Sequence, residues 1–355
     1  MEPITHFLTG ACLARAGLNR TTPLATTTLV LAAEAADIDI LWLGKGPVFY
    51  FGHHRGITHT FVGAPLVAAL VLALVYALWR IAQQFAKPGP MGCAGCPPGN
   101  APPERRPRWG MIYLLAVLSG LVHILLDYTN SYGVRPFMPF SYRWYSWDIV
   151  NIYDGLIWAA LLLGLLVPGL FRLVNEEIGS RKKGPRGRGG AIFALVAIVV
   201  LWGGRDYEHR KAIRLMQSTE YEGAEAVRVS AFPYGLSPFK WHGVAETANL
   251  FEMVVVDSSG PEIDPQSKAR IRYKPEETPA TIAAKKTYLG RVYLDWAQYP
   301  LTEQEQRPDG TYEVRFYDLR YSYPERGSAL RSAVILDKDL HEIEERFGSR
   351  VQKVK

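Results

Sequence analysis

Hydrophobic positions fall in long runs up to about residue 203 and in short alternating stretches after it. A membrane-crossing helix needs roughly 20 mostly apolar residues. "PLATTTLVLAAEAADIDILWLG" (23–44), "FVGAPLVAALVLALVYALWRIAQQF" (61–85), "GMIYLLAVLSGLVHILLDY" (110–128) and "IVNIYDGLIWAALLLGLLVPGLF" (149–171) meet or approach that length. "GGAIFALVAIVVLWGG" (189–204) is shorter but uncharged, and "ITHFLTGACLARAGL" (4–18) is shorter still. The pattern predicts an α-helical integral membrane domain of about six spans, some short, over 1–204. Beyond it, "AVRVSAF", "FEMVVVD", "ARIRYK", "GRVYLDW", "YEVRFYDLRY" and "SAVILD" are rich in β-branched and aromatic residues bounded by turn formers. A small, mainly β (α+β) extramembrane domain is expected over 205–355, with a hairpin at "PDG" before "TYEVRF" and another packed around Trp241 and His242.

Charge sets the expected orientation. The 355-residue chain is 48% hydrophobic with a mean hydropathy of −0.02, averages that on their own would suit a water-soluble protein, and its net charge of +6 could suggest nucleic acid. The positive charge gathers in short connections, with Lys87, Arg105, Arg106 and Arg108 in one and Arg172, Arg181, Lys182, Lys183, Arg186 and Arg188 in another. By the positive-inside rule these loops lie in the cytoplasm of a bacterial inner membrane. Loops 45–60 and 129–148 and the C-terminal domain then face the periplasm or exterior. No helix or strand presents a basic face interleaved with aromatics, so nucleic-acid binding is not expected. The N-terminus "MEPITHFLTG" lacks the positive n-region of a signal peptide. Cys93 and Cys96 form one CxxC within a Pro/Gly-rich stretch, without the second pair a four-thiolate zinc site needs, and read as linker.

On that topology the unusual polar residues converge. His6, then Glu34, Asp37 and Asp39, then His53, His54 and His59, then His123 and Asp127, then Asp148 all fall at the outer ends of their segments. Charged groups in apolar segments are costly unless paired, hydrated or metal-bound. His123 and Asp127, four apart, share a helix face. Asp37 and Asp39, two apart, cannot share one. In "FGHHRGITHTF", His53 and His59 can converge around Gly56, with Arg55 suited to an anion and Thr58 placed to orient an imidazole. Mixed His and carboxylate ligands point to a divalent metal, zinc most readily or manganese, as two or three ions. Metal-activated water would then hydrolyse a phosphoester, with Arg55, and secondarily Arg135 or Arg143, holding the phosphate. The ligand set expected is His6, Asp37, His53, His54, His59, His123 and Asp127, with Asp39, Arg55 and Asp148 in catalytic or supporting roles; His53 is favoured over His54.

"ITHFLTG", "AADIDIL", "HHRGITHT" and "HILLDYTNSYG" followed by "RPFMPFSYRWYSWD" resemble the LexA-regulated, membrane-bound metal-dependent hydrolases of bacterial inner membranes, over about residues 1–205. The resemblance implies a metal site at Asp37, Asp39, His59 with His53 or His54, His123 and Asp127. A more distant similarity is to zinc-dependent phospholipase C and the single-strand nucleases. It implies the same ligand order beginning at His6, with Asp148 as the candidate for a later acidic ligand. The expected substrate is a phospholipid or other envelope lipid reaching the site laterally. The contrasting reading is a non-enzymatic membrane protein with a structural metal site or polar path and a partner-binding periplasmic domain.

Overall fold

The computed structural model describes residues 1–85, 106–177, 187–261, 263, 269–323 and 327–353. Cys93 and Cys96, and much of both basic connections, lie outside the described residues. The N-terminal part consists of α1 (Pro3–Arg15), α2 (Ala25–Glu34), α3 (Pro47–His53), α4 (Gly63–Phe85), α5 (Trp109–Tyr128), α6 (Gly155–Glu177) and α7 (Arg188–Gln217). Three described helices, α4, α5 and α7, are long and apolar enough to cross a membrane, and Gly155–Phe171 of α6 is apolar but shorter.

The expected span at 23–44 is not one helix. α2 has ten residues, about 15 Å at 1.5 Å per residue, half of a hydrocarbon core. It passes into a 3-10 segment over Ala35–Lys45. The break falls where the acidic residues begin. Aspartate is a poor helix former, and the tighter turn points Asp37 and Asp39 in different directions, each to its own partners.

Small residues set the helix contacts. A Cβ on Gly10 of α1 would come within 2.8 Å of the Leu29 carbonyl oxygen of α2. At the α6–α7 crossing, a Cβ on Gly164 would stand 2.6 Å from the Gly190 carbonyl, and one on Gly190 2.5 Å from that of Gly164. Close backbone approach of this kind is how helices associate where lipid removes the hydrophobic drive. On α4, Ala64, Val67, Ala68, Val71 and Val75 are buried while Leu66, Leu70, Leu74, Leu78 and Ile81 are exposed. The exposed leucines face what would be hydrocarbon.

α7 runs through residue 204, where the chain turns polar, and Ala212 and Met216 enter a core with Trp241, Val254 and Val256. An antiparallel sheet follows in the order β1 (Arg228–Pro233), β2 (Lys240–Glu246), β3 (Leu250–Asp257), β4 (Arg270–Tyr273). Trp241 and His242 are buried on β2. Next come α8 (Pro279–Lys286), begun by a Thr278–Thr281 capping box with proline in its first turn, and α9 (Tyr288–Trp296). β5 (Pro300–Gln306), β6 (Tyr312–Asp318), β7 (Ser322–Tyr323), β8 (Gly327–Ser328), β9 (Ser332–Leu336), β10 (Glu342–Phe347) and β11 (Arg350–Lys353) complete the chain. They form a second antiparallel sheet ordered β11-β10-β9-β6-β5, with β7 paired to β8. The mainly β C-terminal part is as expected.

This part is fastened to α3 and to the α5–α6 connection. Val48 and Phe51 of α3 and Tyr132 of the α5–α6 connection share one core with Leu289, Tyr293, Trp296, Phe316 and Val334. Trp296 Nε1 donates to the Tyr132 carbonyl at 3.1 Å, and the Arg320 guanidinium donates to the Ser131 carbonyl. At the base, Arg205 of α7 meets Asp154 at 2.6 Å with both side chains buried.

Candidate metal centre

α5 carries His123 and Asp127 one turn apart on its buried face. The His123 ring is held from behind, since Nδ1 lies 2.6 Å from the Ala33 carbonyl oxygen and must donate to it. Nε2 is thereby left as an acceptor pointing into the cluster. His6 of α1 stacks on His123 with ring centroids 3.7 Å apart. The His6 Nε2 lies 3.5 Å from Asp127 Oδ1, yet neither of its ring nitrogens makes a hydrogen bond. The Met1 amino group also contacts Asp127 Oδ1.

The loop before α4 delivers His59. The Gly56 amide donates to the His53 carbonyl at 3.0 Å and the His59 amide to the Gly56 carbonyl at 2.9 Å. Thr60 Oγ1 then accepts from the Gly63 amide at 2.7 Å, the N-cap geometry that starts α4. A Cβ on Gly63 would overlap the Ile57 carbonyl oxygen at 1.7 Å, so the turn requires glycine there. His59 Nε2 consequently sits 3.1 Å from His123 Nε2, 3.3 Å from Asp37 Oδ1 and 3.5 Å from Asp127 Oδ2. His123 Nε2 lies 3.3 Å from the same Asp127 oxygen. Burial depresses the His59 pKa, favouring the neutral imidazole that a metal would require.

Asp39 faces the other side of the 3-10 segment and stands behind the cluster. It accepts from the Arg55 amide at 2.9 Å, lies 3.2 Å from His54 Nδ1 and 3.5 Å from His59 Nδ1. Thr58 Oγ1 is 3.0 Å from the same His59 nitrogen, in the orienting position expected for it.

Of the expected ligands, His6, Asp37, His59, His123 and Asp127 come together. Two groups, His6 with Asp37 and His123, and His59 with His123 and Asp127, each have ligand atoms within 4.8 Å of one another. His54 stands one layer out, on Asp39. His53 is not brought in. It is exposed, with Nδ1 2.9 Å from the Phe49 carbonyl and its ring stacked on Phe49 at 3.9 Å, because α3 turns it away from the loop it precedes. The preference for His53 over His54 is thereby corrected.

Arg55 is in place but committed to the protein. Its Nη2 donates to Asp127 Oδ1 at 2.8 Å, and its Nη1 to Gly133 O at 2.9 Å and Asn130 Oδ1 at 3.2 Å. The guanidinium stacks over Tyr132 with 4.7 Å to the centroid, and the residue is 4% exposed. Arg135 donates to the Gly52 carbonyl and pairs with Asp295, while Arg143 stacks on Tyr145. Asp148 is half-buried in a left-handed conformation, φ +58°. Burial raises its pKa to about 6 against the pull of Arg320 and hydrogen bonds from Ser146 and Ser131. Its surroundings belong to the β-domain junction, so it supports that junction, and no ligand grouping includes it.

Glu34 is the residue that the motif pattern undervalued. One of its carboxylate oxygens is buried with no hydrogen-bond partner, beside Phe7 and Asp37. A glutamate closing an alanine-rich helix one turn before Asp37 was the available sequence cue.

The donor set fits a divalent cation. The His123 Nε2 lone pair, Asp37 and Asp127 all converge on His59 Nε2, and Asp127 Oδ2 and both His6 nitrogens lack hydrogen-bond partners. Imidazole nitrogens with carboxylate oxygens are a zinc or manganese donor set.

Residues 1–212 match the model of the family described as YdjM inner membrane protein. The uncharacterized protein YfhP of Bacillus subtilis (strain 168) is 22% identical over 135 residues, 38% of this chain and 34% of that protein. The chain thus spans about a third of the length of that curated relative. No solved structure matches the chain.

Proposed function

The chain belongs to the YdjM inner membrane protein family, and from the geometry of its polar cluster we propose that it is a metal-dependent hydrolase of phosphoesters. The observation that carries the reading is the convergence of imidazole and carboxylate ligand atoms on one buried point: His59 Nε2 and His123 Nε2 lie 3.1 Å apart with Asp37 and Asp127 around them. Asp127 Oδ2 and both His6 nitrogens are buried there without a hydrogen-bond partner, at a cost of about 1–3 kcal/mol each that a bound cation would relieve.

His59, His123, Asp37 and Asp127 would hold the ion, with His6 beside them. His123 offers only Nε2, because Nδ1 is bound to Ala33. Of the two groupings that include His123, only one can use that nitrogen at a time. One ion at His123 is the primary expectation, and a second would have to be held without it. Zinc, or manganese in its place, supplies a Lewis acid and an acidified water when bound.

The chain's own residues do the rest. Asp39 and Thr58 orient the His59 ring, and Ala33 orients that of His123. Arg55 fixes Asp127 through a short charge-assisted bond. Asp37, with 25% of its side chain exposed, is where a substrate would meet the cluster. In the reaction the oxygen of water bonds to phosphorus, the ester P–O bond breaks, and a proton from that water passes to the departing alcohol oxygen. The gathering of positive charge in the two basic loops supports a periplasmic position for the C-terminal domain and the site.

Metal analysis of the purified full-length protein tests this first. About one zinc or manganese ion per chain, lost in His59→Ala and Asp127→Ala, is the expected result. Absence of stoichiometric metal from wild type overturns the proposal. Metal without turnover of any phosphoester would make the site structural.

A further inference from the structure

The ligands differ in accessibility in a way that points to the route in. His6, His59, His123 and Asp127 are at most 1% exposed, whereas the Asp37 side chain is 25% exposed. The cluster therefore opens at Asp37, on the outer side of the 3-10 segment.

The aqueous side is roofed. Arg55 stacks under Tyr132, Tyr132 packs on Trp296 at 5.0 Å between centroids, and Trp296 stacks on Tyr321 at 5.5 Å. Trp296 and Tyr321 come from the C-terminal domain, which therefore covers the face a water-soluble substrate would use.

The opening at Asp37 is apolar. Ile38, Ile40, Leu41 and Trp42 follow it directly and are 48%, 56%, 73% and 39% exposed. On the neighbouring α1, Ile4 and Phe7, three apart on one face, are also exposed. Four large apolar side chains within five residues form a patch that water would penalise. The 3-10 segment packs against α4, the helix on which Leu66, Leu70 and Leu74 are exposed. At the far end of the segment, Lys45 Nζ lies 4.9 Å from the Trp42 ring centroid and 5.0 Å from that of Phe49. A lysine over aromatics at the rim of an apolar patch is the arrangement found where chains meet the headgroup layer.

We infer that Ala35–Lys45 is a membrane-embedded lip and that the cluster opens past Asp37 into the same leaflet, taking an amphiphilic phosphoester sideways from the bilayer. The lip stands on geometry alone; the substrate class rests on the hydrolase reading above. The head of such a molecule reaches Asp37 while its chains lie along Ile38, Leu41, Ile4 and Phe7. Confinement to the leaflet raises its effective concentration at the opening.

The test uses full-length protein in vesicles of phosphatidylethanolamine and phosphatidylglycerol. A spin label is placed at Leu41→Cys, with Cys93 and Cys96 replaced by serine and Cys12 left buried. Collision with oxygen and protection from a water-soluble nickel chelate, matching a label at Leu70→Cys, are expected. Free collision with the nickel chelate overturns the lip. In parallel, the zinc-loaded wild type is assayed on the vesicle phospholipids and on bis(4-nitrophenyl) phosphate in water. Lipid hydrolysis at least about tenfold faster than that of the soluble ester is expected from leaflet confinement. The reverse order overturns the lateral route while leaving the hydrolase standing. Hydrolysis of neither overturns the hydrolase reading and the substrate class with it, and the label then decides the lip by itself.

Discussion

Arg55 Nη2 donates to Asp127 Oδ1 at 2.8 Å, inside a pocket where the arginine is 4% exposed. A residue whose type suggests anion recognition is thus spent on orienting a carboxylate. Its other Nη group is taken by Gly133 and Asn130, which ties the loop before α4 to the α5–α6 connection.

Arg55→Lys should therefore act on the metal. Lysine keeps the charge but cannot make the forked contacts to Asp127, Asn130 and Gly133 together. Metal affinity should fall by about 10- to 100-fold, the usual consequence of removing a group that supports a ligand. Competition against a chelator measures it. Unchanged metal affinity with a raised KM for the ester would return Arg55 to anion binding.

Asp39→Asn should weaken metal binding by a similar factor, about 10- to 100-fold. The carboxylate serves the Arg55 amide, His54 and His59 at once, and an amide cannot accept equally from all three. Titration of the apo-protein with zinc reads the change.

The two histidines on either side of Gly56 should separate cleanly. His53→Ala should leave metal content unchanged, since the ring is exposed on Phe49. His59→Ala should lose the ion. Elemental analysis of both variants decides, and metal loss in His53→Ala would contradict the geometry.

Asp148 supplies a pH test. Its folded-state pKa is raised to about 6 by burial, above the ordinary carboxylate value of about 3.9. A raised carboxyl pKa stabilises the fold below the unfolded value and loses that contribution as pH climbs through the folded one. Asp148→Asn keeps a residue tolerant of φ +58° and removes the ionisation. The variant should gain on wild type in thermal stability between about pH 4 and pH 7, with the difference levelling above that window. A difference independent of pH would place the titration elsewhere.

Arg320 joins the domains. It is 1% exposed, lies 2.7 Å from the fully buried Asp318 and donates to the carbonyls of Ser131 and Trp296. Arg320→Ala strands that carboxylate and should cost about 3–5 kcal/mol. Denaturant unfolding of the detergent-solubilised protein should show it. If the roof over Arg55 depends on this contact, metal retention falls as well.

Much of this protein is legible in its residues taken in order. Leu66, Leu70 and Leu74 announce a lipid-facing helix because an apolar run of that length has no other inexpensive environment. Period-two stretches such as "YEVRFYD" announce β6, because alternating faces need a core on one side. His123 and Asp127 are readable as neighbours, since helical spacing is a local property.

What the order of residues left open is set by contacts distant in sequence. Both His53 and His54 flank a glycine turn beside His59, and spacing treats them alike. α3 packs Val48 and Phe51 into the C-terminal core, and that docking turns His53 outward. The segment at 23–44 has the composition of a span, yet the helix stops at Glu34, where Asp37 must meet His59 and His123 while Asp39 meets His54 and Arg55. Composition and local periodicity determined that helices cross the membrane, that a β domain follows and which side chains could bind a metal. Tertiary structure alone decided which of them share a point in space, because convergence depends on how separate elements dock, and that information is spread over the whole chain.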